Sequence, residues 1–516
     1  MASTTAEGLS ERYGPNYRWF VILTAMIGNI ALIFSSTIIN VAIPEIMGAY
    51  GIGQDKAQWL SAGFLVTMTV SMLLNSWCTG TIGRRNTYLL AMGVFVCGSV
   101  LGATSPTFDM LIFARLLQGA GAGLIQPLAL QVIYEIFPVE QRGRAMGIFG
   151  LGIVMAPALG PTLGGVLVDT FDWRAVFYMV LPFCGVATVM ALFFMPSRGT
   201  DTKPGAFDWT GLVLMSIFLG CLLTGFADGS REGWGSDIIL SYFGIAIVAL
   251  IAFILCEARS NHAMLNLRLF SYGRFVSSCI VSFVWGAGNW GVWYLVPLFV
   301  QIVQGYTATR AGLLLMPASL LLAAVFPFAG RVTDWVAPRT PIMIGMSMTA
   351  FSCYLMASAD LNTPFWLFVW WLVIGRVGLG FVFPAITAGG LRALPADLVG
   401  QGAGLMSYFR QLGAAFGVTL LATTVESRTA LYAESFLSTQ TSANAATSDF
   451  LREMQAALLQ AGAPEALQRS GALHHLGQTL YEQATMIAYR DAFLLVALFF
   501  LAAMIPGWFL NRTKEG

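Results

Sequence analysis

The feature that most constrains this chain is a stretch with no charge from Val21 to Pro44, closing as ALIFSSTIINVAIPEI at residues 31–46. About 20 apolar residues in a helix cross the ~30 Å hydrocarbon core of a bilayer. Lipid offers no hydrogen bonds to exposed backbone, so a run of this kind is stable as a membrane-crossing helix and little else. The pattern recurs. Apolar runs lie near 20–43, 57–78, 87–105, 109–134, 144–168, 175–195, 209–227, 237–257, 275–301, 308–330, 340–358, 364–387, 398–424 and 490–511. That is fourteen expected transmembrane helices in an all-α polytopic membrane protein.

Charge supports the count and the orientation. Only 10% of residues are charged, against about a quarter in a soluble domain. With the N-terminus on the cytoplasmic side, 16 Lys and Arg fall in cytoplasmic connections and 8 on the other side, as the excess of basic residues inside requires. Both termini are then cytoplasmic. The start, MASTTAEGLSERYGPNYRW, lacks the basic-then-apolar layout of a cleaved signal, so the first run should stay as an anchor. A net charge of +1 gives no basic surface for nucleic acid. Seven cysteines without a C-x-x-C pair form neither a disulfide framework nor a metal site, and no cofactor is implied.

Residues 425–489 stand apart, about 65 positions on the outer side with no spanning run. Leu451, Met454 and Leu458, then Leu473, Leu476, Leu480 and Ile487, recur at helical spacing on either side of Pro464. These faces cover one another, lie on the bilayer, or dock a partner. A faint internal echo points to duplication. ARLLQGAGAGLIQP in the fourth run is similar to IGRVGLGFVFP in the twelfth, and GRRNTY after the second to GRVTDWVAPRT after the tenth. The chain parses as a six-helix bundle (1–195), two additional helices (196–270) and a second six-helix bundle (271–516). Repeated halves about a midplane site are the layout of alternating access.

Polar groups inside the runs carry the chemistry. Arg115 lies about two turns into the fourth run, where a charge costs at least about 2.5 kcal/mol, so it should face the bundle or a wet cavity. Gln118 follows three residues on, on the same face, and Arg410 is a further charge within a span. Pro157 with Pro161, and Gly160 with Gly164 and Gly165, make the fifth helix bendable and smooth on one side. Asn40, Gln126, Gln131, Asn289, Trp290, Trp293 and Tyr294 are candidates to line a substrate cavity. Aromatic pockets with few fixed polar groups accept varied lipophilic molecules.

Together these segments resemble the major facilitator superfamily, and within it the fourteen-helix drug:proton antiporters of the EmrB/QacA type. ARLLQGAGAG is similar to the family's fourth-helix motif and APALGPTLGG to its fifth-helix antiporter motif. STIINVAIP, FDWTG, QGYTATRAGLLLMP and FRQLGAAFG are similar to further hallmarks. The resemblance implies export of small lipophilic drugs or toxic compounds in exchange for protons. It also implies a periplasmic membrane-fusion adaptor and an outer-membrane channel as partners, with 425–489 as the docking segment. Coupling candidates are Arg115, Gln118, Glu135, Asp169 and Arg410. The cytoplasmic gate would use Gly83, Arg84 and Arg85 in one half, and Gly330, Asp334 and Arg339 in the other.

Two departures stand out. The loop motif reads SWCTGTIGRR, with Gly80 where the family places an acid. In the first helix, Ser35 occupies the position where relatives often carry a proton-exchanging Asp, and a hydroxyl cannot exchange a proton near neutral pH. Ser35 is therefore counted with the cavity candidates. Its presence leaves open a transporter of a specific metabolite, such as a siderophore or an organic acid, with non-standard coupling. A polytopic membrane enzyme is the remaining class. It would need clustered catalytic groups, and His262, His474 and His475 have no acid close to them in sequence.

Overall fold

A computed structural model describes residues 6–137, 149, 156–157, 159–197, 208–259, 267–395, 398–441, 444–461 and 464–510. The side chains of Glu135 and Asp334, and most of the first half of the fifth run, lie outside the described residues. The rest is helical. The first half comprises α1 (Ala6–Tyr13), α2 (Tyr17–Tyr50), α3 (Gln54–Ala57), α4 (Trp59–Ile82), α5 (Arg84–Ala103), α6 (Phe108–Ile136), α7 (159–170) and α8 (Ala175–Phe194). A pair follows, α9 (Trp209–Glu232) and α10 (Asp237–Arg259). The second half holds α11 (Gly273–Ile302), α12 (Ala308–Trp335), α13 (Arg339–Met356), α14 (Phe365–Leu391), α15 (Val399–Thr439), α16 (Ala445–Gln460) and α17 (Glu465–Trp508). Among the described residues, 11 helices are long and apolar enough to cross a membrane.

The packing repeats. In the first half α6 packs against α4 and α5; in the second, α14 packs against α12 and α13. The pair α9–α10 leans on the bundle through α9, which touches α15 and α4. Large apolar side chains of α10 such as Ile247, Val248 and Ile251 are exposed, the surface a helix presents to lipid rather than to water. Polar side chains inside the bundle mostly satisfy themselves on their own helix. Thr37 Oγ1 donates to Ile33 O (2.9 Å) and Asn29 Nδ2 to Ala25 O (2.9 Å), which removes the cost of an unpaired donor in an apolar setting.

The segment 425–489 is helical for most of its length. No Gly or Pro occurs between Val418 and Thr439, so α15 continues past its apolar run to 41 residues, about 60 Å at 1.5 Å per residue. After Pro464, α17 runs for 44 residues before and through its apolar part. Both exceed the ~30 Å core. The two are tied where they leave it: Tyr432 Oη donates to Asp491 Oδ2 (2.7 Å) and Arg428 pairs with the same carboxylate (3.6 Å). The stretches with helical spacing form α16 and the start of α17, which pack on each other.

Candidate functional site

The seam between the halves is built from α2 with α11, α4 with α15, and α7 with α12. Helices alternate in direction, so Tyr50, Asp55, Asp169, Arg231, Ala308 and Glu426 gather at one end, called distal because it lies opposite the start of α2. Tyr50 donates there to Ser105 O (3.0 Å) at the α5–α6 turn.

Arg115 is the centre of the first half. It is 1% exposed, and its partners come from three helices. Nε donates to Leu60 O (2.7 Å) on α4, and Nη1 to Ser35 Oγ (2.9 Å) and Ser35 O (3.3 Å) on α2. Nη1 also reaches Gln118 Oε1 (2.8 Å), and Gln118 Nε2 donates onward to Ser99 Oγ (2.8 Å) on α5. The guanidinium lies 4.4 Å from the Phe64 ring centroid, a cation–π contact. Glycines make this approach possible. A Cβ on Gly119 would stand 2.3 Å from Phe64 O, and one on Gly98 2.8 Å from Ala114 O. Ser35, read from sequence as a cavity residue, thus serves as a partner of Arg115.

The second half repeats the device. Arg376 on α14 is 2% exposed, its Nη1 donates to Asn289 Oδ1 (2.5 Å) on α11, and its guanidinium lies 4.3 Å from the Trp293 ring centroid. In each half an arginine on the fourth helix reaches the first. Neither has a carboxylate partner among the described residues, and Nη2 of both is buried without a hydrogen bond. Trp293 also closes the seam: Asn40 Nδ2 donates to its carbonyl (3.2 Å), while Ser61 Oγ donates to Asn40 Oδ1 (2.6 Å). Asn40, Asn289 and Trp293 are therefore brought together. Trp290 is half-buried, Gln126 keeps a buried Oε1 without a partner, and Gln131 sits half-buried further along α6. Tyr294 is fully buried with its hydroxyl unpartnered. Arg410 lies over another ring, 5.1 Å from the Phe383 centroid.

At the distal end α7 meets α12 backbone to backbone. Asp169 caps α12, accepting from Ala308 N (3.2 Å) and Thr309 N (2.7 Å), and Thr162 Oγ1 donates to Gly312 O (3.0 Å). Asp169 is thus a helix cap across the seam, favoured by the positive end of the α12 dipole. Gly165 and Gly312 leave no room for a side chain: a Cβ would stand 2.3 Å from Ala308 O and from Pro161 O respectively. Gly160 and Gly164 instead face Thr37 and Ile38 of α2, and Pro157 is half-buried near the start of the described helix. At the proximal end Gly83 turns the chain between α4 and α5 with φ +84°. Arg84 and Arg85 open α5, and Arg339 stacks on the Trp508 ring. Nothing lies within 4 Å of a Cβ placed on Gly330.

A second polar group at the distal end carries no sequence signal. Asp55 pairs with Arg231 at 3.7 Å, and Glu426 lies beside both, just beyond the apolar run of α15. Burial first, then Asp55, pushes the Glu426 carboxyl up to about 7, with Arg231 opposing and Asp228 adding. Its members come from α3, α9 and α15, which no spacing rule connects. Arg376 had a signal, the echo between IGRVGLGF and ARLLQGAG, although no motif in its own run marks it.

Known proteins resemble this chain along most of its length. An uncharacterized MFS-type transporter of Bacillus subtilis, YhcA, is 28% identical over 499 residues, 96% of this chain and 93% of its own length. The lincomycin resistance protein LmrB of Listeria innocua is 28% identical over 80% of this chain and 88% of its own. A bacterial homologue of the lysosomal transporter Spinster, solved inward-facing, superposes with a TM-score of 0.62 at 16% identity, covering 97% of this chain and 100% of its own. The family description of the Major Facilitator Superfamily matches residues 25–418, and this chain, with its two helical halves and paired fourth-helix arginines, belongs to that family.

Proposed function

We propose that the protein is a fourteen-helix secondary active exporter of lipophilic drugs or toxic compounds, driven by protons entering as the compound leaves. Its distal end would face outward. The observation that carries this reading is the seam. Two halves, each with a buried arginine, meet along a seam where a few directed contacts, Asn40 to Trp293 and Asp169 to α12, cross beside the apolar packing. Such contacts can be made and broken while each half stays intact, which is what alternating access about a midplane site requires. Relatives named for lincomycin resistance and multidrug resistance support a drug-like substrate.

Transport into inside-out vesicles with an imposed pH gradient tests the reading. Drug or dye accumulation that collapses with a protonophore is expected; accumulation indifferent to it would remove proton antiport. A periplasmic adaptor is part of the same proposal, with the projecting α15–α16–α17 segment as its docking surface. Removing residues 440–463 should abolish export across an outer membrane while leaving insertion intact. Resistance that survives the deletion would discard the adaptor. A second reading, transport of an organic acid with non-standard coupling, is favoured by one observation: Ser35 gives Arg115 a neutral partner.

A further inference from the structure

We propose that Arg115 and Arg376 form an anion-recognition site across the α2–α11 seam, so that the compounds carried are amphiphiles bearing a carboxylate or a comparable negative group. This rests on the transport reading above and names its substrate class.

The argument starts from charge. A guanidinium removed from water is costly unless an opposite charge compensates it. Arg115 is held by a serine hydroxyl, a glutamine amide and two backbone carbonyls, and Arg376 by an asparagine amide. Aromatic faces of Phe64 and Trp293 supply partial compensation. No described carboxylate pairs with either. An arginine that merely ties helices together spends its donors on the helices it ties. Here Nη2 of each is fully enclosed and spends none. Two enclosed, uncompensated cations with a free donor each are arranged for a ligand that brings both the charge and the acceptors.

Position sets one arginine on each side of the seam. Arg376 lies over the ring of Trp293, the residue whose carbonyl Asn40 holds across the seam. Arg115 bonds Ser35 on α2 and the carbonyl of Leu60 on α4, next to Ser61, which donates to Asn40. Parting α2 from α11 breaks the Asn40 bond to the carbonyl of Trp293, the residue over whose ring Arg376 lies. The apolar part of a ligand would meet Trp290, Trp293 and the neighbouring aromatic rings. A lipophilic cation would find no described acid among the groups that hold these two arginines.

The test uses the purified full chain in lipid nanodiscs at pH 7.5. Pyrenebutyrate, ionised there, and its neutral methyl ester are the probes, read by energy transfer from tryptophan. The acid should bind at least tenfold more tightly than the ester. Arg376→Gln should bring the two to parity by weakening the acid alone, while Arg376→Lys keeps most of the preference. Arg115→Gln should act in the same direction, and size-exclusion profiles identify any variant that does not fold. Equal binding of acid and ester by the wild type, or an unchanged ratio in a folded Arg376→Gln, would overturn the proposal. Binding is read without a gradient, so the result separates from the vesicle test. Proton-driven export of ethidium with no preference for the acid would sink the anion site and leave the exporter standing.

Discussion

The contact between α7 and α12 gives the sharpest mechanical expectation. In Gly165→Ala the new Cβ would stand 2.3 Å from Ala308 O, 2.5 Å from Ala308 C and 2.6 Å from Thr309 Cα. All three are backbone atoms at the start of a capped helix, so no rotamer change can absorb the clash. Restoring an ordinary separation of ~3.5 Å means moving α12 about 1 Å away from α7. That displacement also stretches the bonds from Ala308 N and Thr309 N to Asp169 and from Thr162 Oγ1 to Gly312 O. Overpacking of this kind costs about 1–3 kcal/mol, which shifts the equilibrium against the closed distal end by about 5- to 150-fold. Spin labels at Phe171, just past the end of α7, and at Leu313 on α12, both exposed, report the change as a longer distance distribution in nanodiscs. Gly312→Ala should reproduce it from the other side, since its Cβ would meet Pro161 O at 2.3 Å. Gly185→Ala on α8 has nothing within 4 Å and should do nothing. Unchanged distances in both Gly165→Ala and Gly312→Ala would refute the view that this contact closes the seam.

Three further expectations follow from the same contacts. Asn40→Ala leaves Ser61 Oγ and Trp293 O without partners, so the closed form should weaken by about 1–3 kcal/mol, read as a lowered melting temperature in nanodiscs with helical content retained. Glu426 holds its proton up to about 7 in the closed form and releases it at the ordinary carboxylate value once solvated. The closed distal end is therefore favoured at low pH and loses on the order of 1–2 kcal/mol as pH rises from about 4.5 through about 7, after discount for solvent. The Phe171–Leu313 label pair should lengthen between pH 5.5 and 8.5, and Glu426→Gln should flatten the change. Ser35→Asp places a carboxylate beside Arg115 Nη1 and should alter the pH profile of vesicle transport; an identical profile would dismiss that position as a coupling site.

What was legible in the sequence depended on whether the signal was local. Apolar runs gave the helices because membrane insertion is decided by one segment's own composition. The Arg115–Gln118 pair was legible because three residues on a helix place two side chains together. The small face at Gly160, Gly164 and Gly165 was legible too, but its division of labour was not: two of these glycines meet α2 and the third meets α12. Contacts between distant segments leave no mark at either end alone. Asn289 and Trp293 read as cavity lining, whereas Arg376, 87 positions from Asn289, determines what both do. The length of α15 and α17 was hidden for another reason: beyond its apolar run α15 shows only the absence of Gly and Pro, and the start of α17 shows helical spacing without the apolarity of a span.

The departure at Ser35 and the charge left over at Arg115 are one fact seen from two sides. An acid at position 35 would compensate the arginine permanently and would give the site a proton to exchange, so resting state and coupling would be secured by the same pair. A serine secures neither. The compensating charge then has to arrive with the ligand, and the second half, with Asn289 against Arg376, has the same requirement. Specificity and coupling would be linked through this position: a carboxylate built into the chain competes with a carboxylate on the substrate for one guanidinium. Ser35→Asp should therefore do two things together, introduce a new pH dependence and reduce the preference for pyrenebutyrate over its ester. A variant that gained the first without losing the second would show that Arg115 serves the proton alone, and would leave Arg376 as the sole anchor for an anion.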